Sequence, residues 1–401
     1  MKILHCADWH LRDRDIDEVD KCLTFLTESA KTEAVDLIVI AGDIFHSQDV
    51  KLDSLSAKLA VKTVSALADI APVAIVIGTP SHDGKAPEIL RFARGKYDVY
   101  VTAFPHQVYL EDGIFYDRPA GGEDYKVPDA VITLIPTPTK QFFQTSSDIS
   151  GADLEVGQQM AGLFMGFGAQ AAQYKAPHIL VGHFNVAGSM LSNGQVRTGM
   201  DIEVGEDQIA LANINLGCLG HIHLGQNFSN IFYSSSIYAV NVGEDHPHGF
   251  YIHEFGPSNF NTETDLESSR FIETPCRKIA RFKFDMTAGE KITIPFDGVA
   301  GATVRIDVSA WQDEAKLINK EEITTRLKLW GAEEVDIRIT PIPRVTVRAA
   351  EVLKADALRD KIQRRADLVG DVIAFETLSA ADILEVTPAD QLVRMVMGGA
   401  L

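Results

Sequence analysis

Leu37-Ile38-Val39-Ile40-Ala41-Gly42-Asp43-Ile44-Phe45-His46 is the stretch on which the fold turns. Its apolar, mostly β-branched run closed by a glycine predicts a short buried strand over 36–41, with Asp43 just past the end. The layout recurs along the chain as far as His223. Ile3-Leu4 precede Asp8-Trp9-His10, Val73-Ala74-Ile75-Val76-Ile77 precede Ser81-His82-Asp83, and Ile179-Leu180-Val181 precede Gly182-His183. Gly220-His221-Ile222-His223 follows a further apolar run. Polar residues beyond the ends of such strands gather at one rim of a sheet. Taken singly, an Asp-x-His or a Gly-Asp is more often a cap or turn, and a lone His is usually structural. Together they supply carboxylate and imidazole donors that suit manganese, iron or zinc, and a bridging carboxylate lets two cations sit about 3.5–4 Å apart. The set predicts one two-metal site.

Working outward, strand 2–6, a helix over 17–33, strand 36–41, an amphipathic helix near 53–69 and strand 72–78 alternate. Parallel strands with helices on the sheet faces follow from that order. Residues 98–135 read as shorter strands with turns at Glu111-Asp112-Gly113 and Ala120-Gly121-Gly122. A helix over 153–175 leads to strand 178–182. Strands near 215–220, 231–234 and 249–255 have few helices between them, which predicts a second, more antiparallel sheet. The expected fold class is therefore α/β, a two-sheet sandwich over 1–265. A polar, turn-rich boundary near 256–272 separates it from a small α/β module over 271–345. A C-terminal helical segment over 350–401 follows, with helices at 354–367, 378–384 and 387–397. Thr387 stands as the cap of the last and Pro388 at its first position.

Size and composition exclude several classes. A chain of 401 residues exceeds one ordinary core, and 46% hydrophobic with 23% charged residues is the balance of a globular protein. No apolar stretch approaches the roughly 20 residues of a membrane span. Met1-Lys2-Ile3-Leu4-His5-Cys6 meets Asp8 too soon for a signal peptide, so a cytoplasmic protein without membrane contact is expected. Cys6, Cys22, Cys218 and Cys276 form no CxxC pair and read as free buried thiols rather than zinc ligands. The formal charge of −19 is unevenly spread: residues 271–401 hold 19 Lys+Arg and 21 Asp+Glu, leaving 18 and 35 for residues 1–270. So acidic an N-terminal part opposes unassisted binding of DNA, and a partner would have to supply positive charge.

In order and spacing, Asp8-Trp9-His10, Gly42-Asp43-Ile44-Phe45-His46, Ser81-His82-Asp83, Gly182-His183 and Gly220-His221-Ile222-His223 resemble the calcineurin-like metallophosphoesterases. Within them the chain is similar to the SbcD-type DNA-repair exonucleases. That branch is marked by Ala7-Asp8-Trp9-His10-Leu11, by His46 three residues after Asp43, and by Tyr233-Ser234-Ser235-Ser236 followed by Val242-Gly243-Glu244 and His248-Gly249-Phe250. The resemblance covers about residues 1–255. It implies a metallophosphoesterase sandwich holding two divalent cations, Mn2+ foremost. Asp8, His10 and His223 would bind one cation, Asp43 would bridge the pair, and His183 and His221 would bind the other. His82 matches the family's catalytic histidine, which contacts the phosphate and stabilises or protonates the leaving oxygen. His46 matches a second histidine that supports it. One departure stands out. The family usually has Gly-Asn-His-Asp, whose Asn carbonyl oxygen is a ligand of the second cation. Here Gly78-Thr79-Pro80-Ser81-His82-Asp83 places Ser81 at the Asn position in a longer loop. A serine hydroxyl is a poorer ligand than an amide oxygen, which implies a weak second site.

The same resemblance implies DNA as substrate, a capping role for the module over 271–345, and homodimerisation through helices of the catalytic domain. It also implies that the last helices dock an SMC-like coiled-coil ATPase subunit. Lys354, Arg359, Lys361, Arg364 and Arg365 cluster on a predicted helix, and Leu392, Val393, Met395 and Val396 suit helix-in-groove docking. Solvated surface and local core are the plain alternatives for the two groups. Three look-alikes are set aside. Gly78 to Gly84-Lys85-Ala86 has five intervening residues rather than four and Ala86 in place of the required Ser/Thr, so it is not a P-loop. Gly166-Phe167-Gly168-Ala169-Gln170-Ala171 lies inside a helical pattern and reads as a close-packed helix surface, not a dinucleotide fingerprint. His246-Pro247-His248 reads as an exposed turn. The expected function is a metal-dependent DNA exonuclease or endonuclease subunit. The alternatives are a small-molecule or cyclic-nucleotide phosphodiesterase on the same fold, and a non-catalytic scaffold for the ATPase.

Overall fold

The computed structural model describes residues 1–117, 127–139, 152–192, 202–257, 264–344, 355, 357–388 and 391. Its first sheet takes β1 (Lys2–Cys6), β2 (Leu37–Ala41), β3 (Val73–Val76) and β4 (Val99–Thr102) as parallel neighbours, joined by α1 (Ile16–Glu33) and α2 (Leu55–Ala68). Side chains alternate across these strands as the pleat requires. Along β2, Leu37, Val39 and Ala41 enter one core, while Ile38 and Ile40 enter the core beneath the helices. The α1 helix lays Val19, Cys22, Leu23, Leu26 and Ala30 on that sheet face and stops at Ala34, whose φ of 52° is left-handed. The α2 helix is started by Ser54, whose hydroxyl accepts from the Ala57 N–H at 3.1 Å.

The second sheet holds β5 (His106–Glu111), β6 (Ile114–Tyr116), β7 (Ala130–Ile135), β8 (His178–His183), β11 (Leu216–Gly220), β12 (Gln226–Phe228) and β13 (Ile231–Tyr233). Between β8 and β11, two short strands, β9 (Asn185–Val186) and β10 (Glu203–Val204), pair with each other. The expected antiparallel character is confined to the edges. The central strands β7, β8, β11 and β13 run parallel, because α3 (Ala152–Ala171) and α4 (Glu206–Ala210) make crossovers and β12 returns the chain before β13. Gly168 fits the close-packed reading of its helix: an added Cβ would lie 2.7 Å from the Leu211 carbonyl oxygen. Both sheets contribute to one apolar layer, with Ile3, Val39, Val76, Ile132, Val181 and Cys218 between them, so the order is helices, sheet, sheet, helices.

The stretch read as a polar boundary runs instead into β15 (Thr264–Glu273), which pairs antiparallel with β14 (Gly249–Pro257). Through the pairing of β14 with β1, these two strands complete one side of the first sheet. A three-stranded sheet of β16 (Lys278–Asp285), β17 (Ala302–Trp311) and β18 (Glu334–Ile342) follows, with α5 (Lys320–Leu329) before β18. Two compact units divide the chain: Met1–Phe282, Ile294–Ile306 and Glu321–Asp336 in the larger; Lys283–Thr293, Asp307–Lys320 and Ile337–Leu401 in the smaller. In the smaller, α6 (Leu358–Val369) and α7 (Phe375–Val386) are linked by the Arg359–Asp382 ion pair. Ala120-Gly121-Gly122, Lys354 and the apolar Leu392, Val393, Met395 and Val396 fall outside the described residues. No helix among the described residues is long and apolar enough to cross a membrane.

The ends of β2 and β11 approach so closely that a side chain at Gly220 has no room. A Cβ there would collide with the Ala41 carbonyl oxygen and lie 2.6 Å from the Ala7 Cβ. Gly220→Ala is expected to destabilise the protein by about 1–3 kcal/mol through overpacking, read as a lower urea midpoint.

Candidate metal centre

The ends of β1, β2, β3, β8 and β11 meet at one rim, where the backbone turns sharply. Asp8, His10, Asp43 and His221 have φ values of 53°, 41°, 50° and 90°, in the left-handed region that side chains rarely adopt. Such residues cost of order 1–3 kcal/mol each and persist only where their surroundings impose them. The restraint is visible in the backbone. Asp8 N–H donates to Gly42 O and His10 N–H to Asp43 O, both at 3.0 Å, so the chain leaving β1 stays laddered to the chain leaving β2. Trp9 is buried in the helix-side core, and Asp8 and His10 face the rim.

Two groups of donors result. Asp8, His10 and His223 bring one ligand atom each within 4.8 Å of one another, and so do Asp43, His183 and His221. His10 Nε2 lies 2.9 Å from His223 Nε2 and 3.9 Å from both Asp8 Oδ1 and Asp43 Oδ2. His183 Nε2 lies 3.3 Å from the same Asp43 Oδ2. The His183 and His221 rings stand edge-on at 5.1 Å. Asp43 Oδ2 thus faces both groups, as a bridging carboxylate must.

The surrounding bonds aim these donors. His183 Nδ1–H donates to Ala41 O at 2.6 Å, which turns its buried Nε2 toward Asp43 Oδ2, 3.3 Å away. His223 Nδ1–H donates to Glu244 Oε1 at 2.7 Å, which turns Nε2 toward the cluster. Asp8 accepts from the His221 N–H at 3.0 Å, tying the ends of β1 and β11 together. The residues fit a pair of divalent cations.

Electrostatics point the same way. Burial pushes the Asp8 carboxyl up to about 6, against the pull of His183 and His223. Asp43 is equally buried, yet the imidazoles of His183 and His10 hold it well below the usual carboxylate range. Burial opposes charge on His183 as well, but Asp43, Asp8 and the Ala41 carbonyl raise it to about 9. His10 moves the other way, well below its usual value, through burial and the neighbouring His223.

His82 and His46 lie beside the first group. The His82 ring stands edge-on to His10 at 4.6 Å, half-buried, and its Nδ1–H donates to the backbone carbonyl of His46 at 2.7 Å. His46 therefore reaches His82 through its main chain. Its ring Nε2 accepts from Arg12 Nη1 at 3.3 Å, and burial with the Arg12 charge pushes its pKa down to about 4. Ser81, expected as a metal ligand, is exposed. The buried residue of that loop is Thr79, whose N–H and hydroxyl donate to Asp43 Oδ1 at 2.6 and 2.9 Å.

Sequence reasoning gives Thr79, Arg12 and Glu244 no role. Glu244 is fully buried, and each group bonded to it is a donor: His223 Nδ1 and Asn241 Nδ2 on Oε1, the Val240 and Asn241 N–H on Oε2. Burial opposes its charge, but His223 and these donors keep its carboxyl below the usual range. His248, read as part of an exposed turn, is buried, with Nδ1 2.9 Å from Ser236 Oγ. Cys6, Cys22, Cys218 and Cys276 are all free, the first three buried.

Residues 1–224, more than half of the chain, match the calcineurin-like phosphoesterases, and the chain belongs to that family. It is 24% identical over 255 residues to the D subunit of the nuclease SbcCD of Staphylococcus epidermidis, covering 61% of this chain and 63% of that one. To the corresponding protein of Staphylococcus saprophyticus it is 25% identical over 267 residues, covering 63% and 65%. A shorter stretch of 89 residues is 38% identical to that of Bacillus subtilis, 21% of this chain and 22% of that one. The chain thus spans just under two thirds of the length of the two Staphylococcus relatives. Among solved structures it is similar to GAP50, the anchor in the inner membrane complex of Plasmodium, with a TM-score of 0.40, 14% identity, and 69% and 90% of the two chains covered. It is also similar to a dimetal phosphatase from Danio rerio, with a TM-score of 0.40, 11% identity, and 68% and 99% covered.

Two outcomes are expected of metal binding. Glu244→Ala leaves His223 Nδ1 without its acceptor and should weaken binding of one cation by roughly 10–100-fold, read by manganese titration of metal-stripped protein. A cation must also displace the proton that the carboxylates favour on His183, whose pKa is about 9. Affinity should therefore rise from pH 6 to pH 9 and level off above, with protons released on binding; calorimetry in buffers of different ionisation enthalpy measures both.

Proposed function

We propose that the protein is a metal-dependent DNA exonuclease or endonuclease subunit. It would hydrolyse phosphodiester bonds with two manganese-class cations and work with an SMC-like coiled-coil ATPase subunit. The observation that supports this most is the shared Asp43 Oδ2 between two donor groups, with the half-exposed His82 ring at their edge. Similarity to proteins named as the D subunit of the nuclease SbcCD supports a nuclease that works as one subunit of a complex.

When bound, the two cations would polarise the phosphodiester and generate hydroxide for in-line attack. The chain's own residues do the rest. Asp8, His10 and His223 would hold one cation, His183 and His221 the other, and Asp43 would fix their separation. His82 Nδ1–H is spent on the His46 carbonyl, so Nε2 is the nitrogen that would meet the leaving oxygen, and as the doubly protonated imidazolium the ring would give it the Nε2 proton. In this reading residues 271–345 cap the site, residues from 350 onward dock the ATPase, and the protein is a cytoplasmic homodimer. A small-molecule phosphodiesterase on the same fold is favoured by one observation, the 35 acidic against 18 basic residues in 1–270.

Incubation of a labelled duplex, a labelled single strand and a generic phosphodiester ester with protein and manganese separates these readings. Cleavage of DNA that disappears with chelator, returns with manganese and returns less with magnesium is the expected outcome. His82→Asn should then lower turnover by about 100-fold or more while metal content stays at the wild-type level. Cleavage of the ester alone favours the small-molecule reading, and DNA cleavage by metal-stripped protein rejects both.

A further inference from the structure

The loop after β3 holds a residue whose placement the family pattern does not account for. Thr79 directly follows Gly78 and is buried. Its hydroxyl lies 2.9 Å from Asp43 Oδ1 and 3.3 Å from Asp43 Oδ2, the oxygen that is itself 3.3 Å from His183 Nε2. A Cβ placed on Gly42 would collide with His183 Nδ1 and lie 2.8 Å from Gly78 Cα. The loop therefore starts beside His183, a donor of the second group.

We infer, building on the two-cation reading above, that the Thr79 hydroxyl is the fourth protein ligand of the second cation, with Asp43, His183 and His221. A hydroxyl has one proton and two lone pairs. With the proton given to Asp43 Oδ1, the lone pairs remain for a cation, as a neutral oxygen in place of an amide carbonyl. Gly78-Thr79 then corresponds to the Gly-Asn of the family pattern, and Pro80-Ser81 are inserted ahead of His82. Three further observations agree. Ser81 is exposed and its carbonyl accepts from the Gln48 N–H at 3.2 Å, away from any ligand role. The N–H groups of His82 and Asp83 both return to Thr79 O, at 3.1 and 2.9 Å, a tight turn that absorbs the insertion. Asp83 closes the loop by accepting from the Gly78 and Phe45 N–H groups at 2.8 and 2.9 Å, so His82 still reaches the His46 carbonyl.

The test is manganese titration of metal-stripped, full-length protein by calorimetry, with electron paramagnetic resonance to detect the spin-coupled pair. The wild type should show two classes of site, the second weaker. Thr79→Val should weaken the second class by about 10-fold or more, leave the first unchanged and lose the coupled signal. Thr79→Ser should keep both classes, Thr79→Asn should match or exceed the wild type at the second, and Ser81→Ala should change neither. Equal weakening of both classes by Thr79→Val would mean that Thr79 only orients the bridging Asp43, and would overturn the assignment. Loss of the second cation in Ser81→Ala would overturn it too. Wild-type protein that binds a single cation rejects both this ligand and the two-cation reading. Two cations with no action on DNA reject the nuclease reading alone.

Discussion

The Asp43 carboxylate is the interaction around which the rim is arranged. It is buried and ionised, and a buried charge is costly unless it is paired and hydrogen-bonded. One oxygen takes both donors of Thr79; the other is shared between His10, in the turn that follows β1 of the first sheet, and His183, at the end of β8 in the second. Placing it there forces the ends of β1, β2 and β3 against those of β8 and β11. That approach in turn requires glycine at 220 and the left-handed turns at Asp8, His10, Asp43 and His221. The apolar layer between the sheets, Ile3, Val39 and Val76 against Ile132, Val181 and Cys218, holds the two halves of the site together and so fixes the distances at the rim.

Much of this is legible from the residues alone. Strands β1, β2 and β3 fall within a residue or two of their apolar runs, because nearly every residue of each is buried and each is ended by a turn. Ligand-type residues can be picked out for the same reason: a polar residue directly after a buried strand has only the rim to occupy. The second sheet is harder to read, because short spacing between strands suggests hairpins. Ten residues separate β11 from β13, enough for β12 to reverse the chain and let β13 return parallel. Ser81 misleads for a different reason. Counting back from His82 assumes a loop of fixed length, whereas the His82 and Asp83 N–H groups both turn back onto Thr79 O, which makes room for the insertion inferred above. Glu244 stands out in the sequence only as part of the Val242-Gly243-Glu244 motif, without a role, since its link to His223 exists only in the folded chain, across 21 positions.

The charge distribution constrains what the rim can meet. Residues 1–270 carry 17 more acidic than basic groups, and two divalent cations offset only a few of them. A net charge of this sign opposes the approach of a polyanion, whereas a small phosphodiester is opposed far less because it presents little charge. A nuclease built this way needs positive charge from elsewhere to hold its substrate. The near-balanced residues 271–401 do not supply it by themselves.

Within the smaller unit, α7 exposes Phe375, Ile383, Leu384 and Val386, while α6 places Arg359, Arg364 and Arg365 on the neighbouring helix. Arg359 is committed to Asp382, so the basic character of this pair is less than its sequence implies. Exposed apolar side chains of this kind suit a protein partner better than a phosphate backbone. Under the proposed function the division of labour would be chemical: the rim would supply hydrolysis, and affinity for a long polyanion would fall to a partner that brings the positive charge. The acidity that first argues against DNA is then consistent with a nuclease subunit that relies on such a partner.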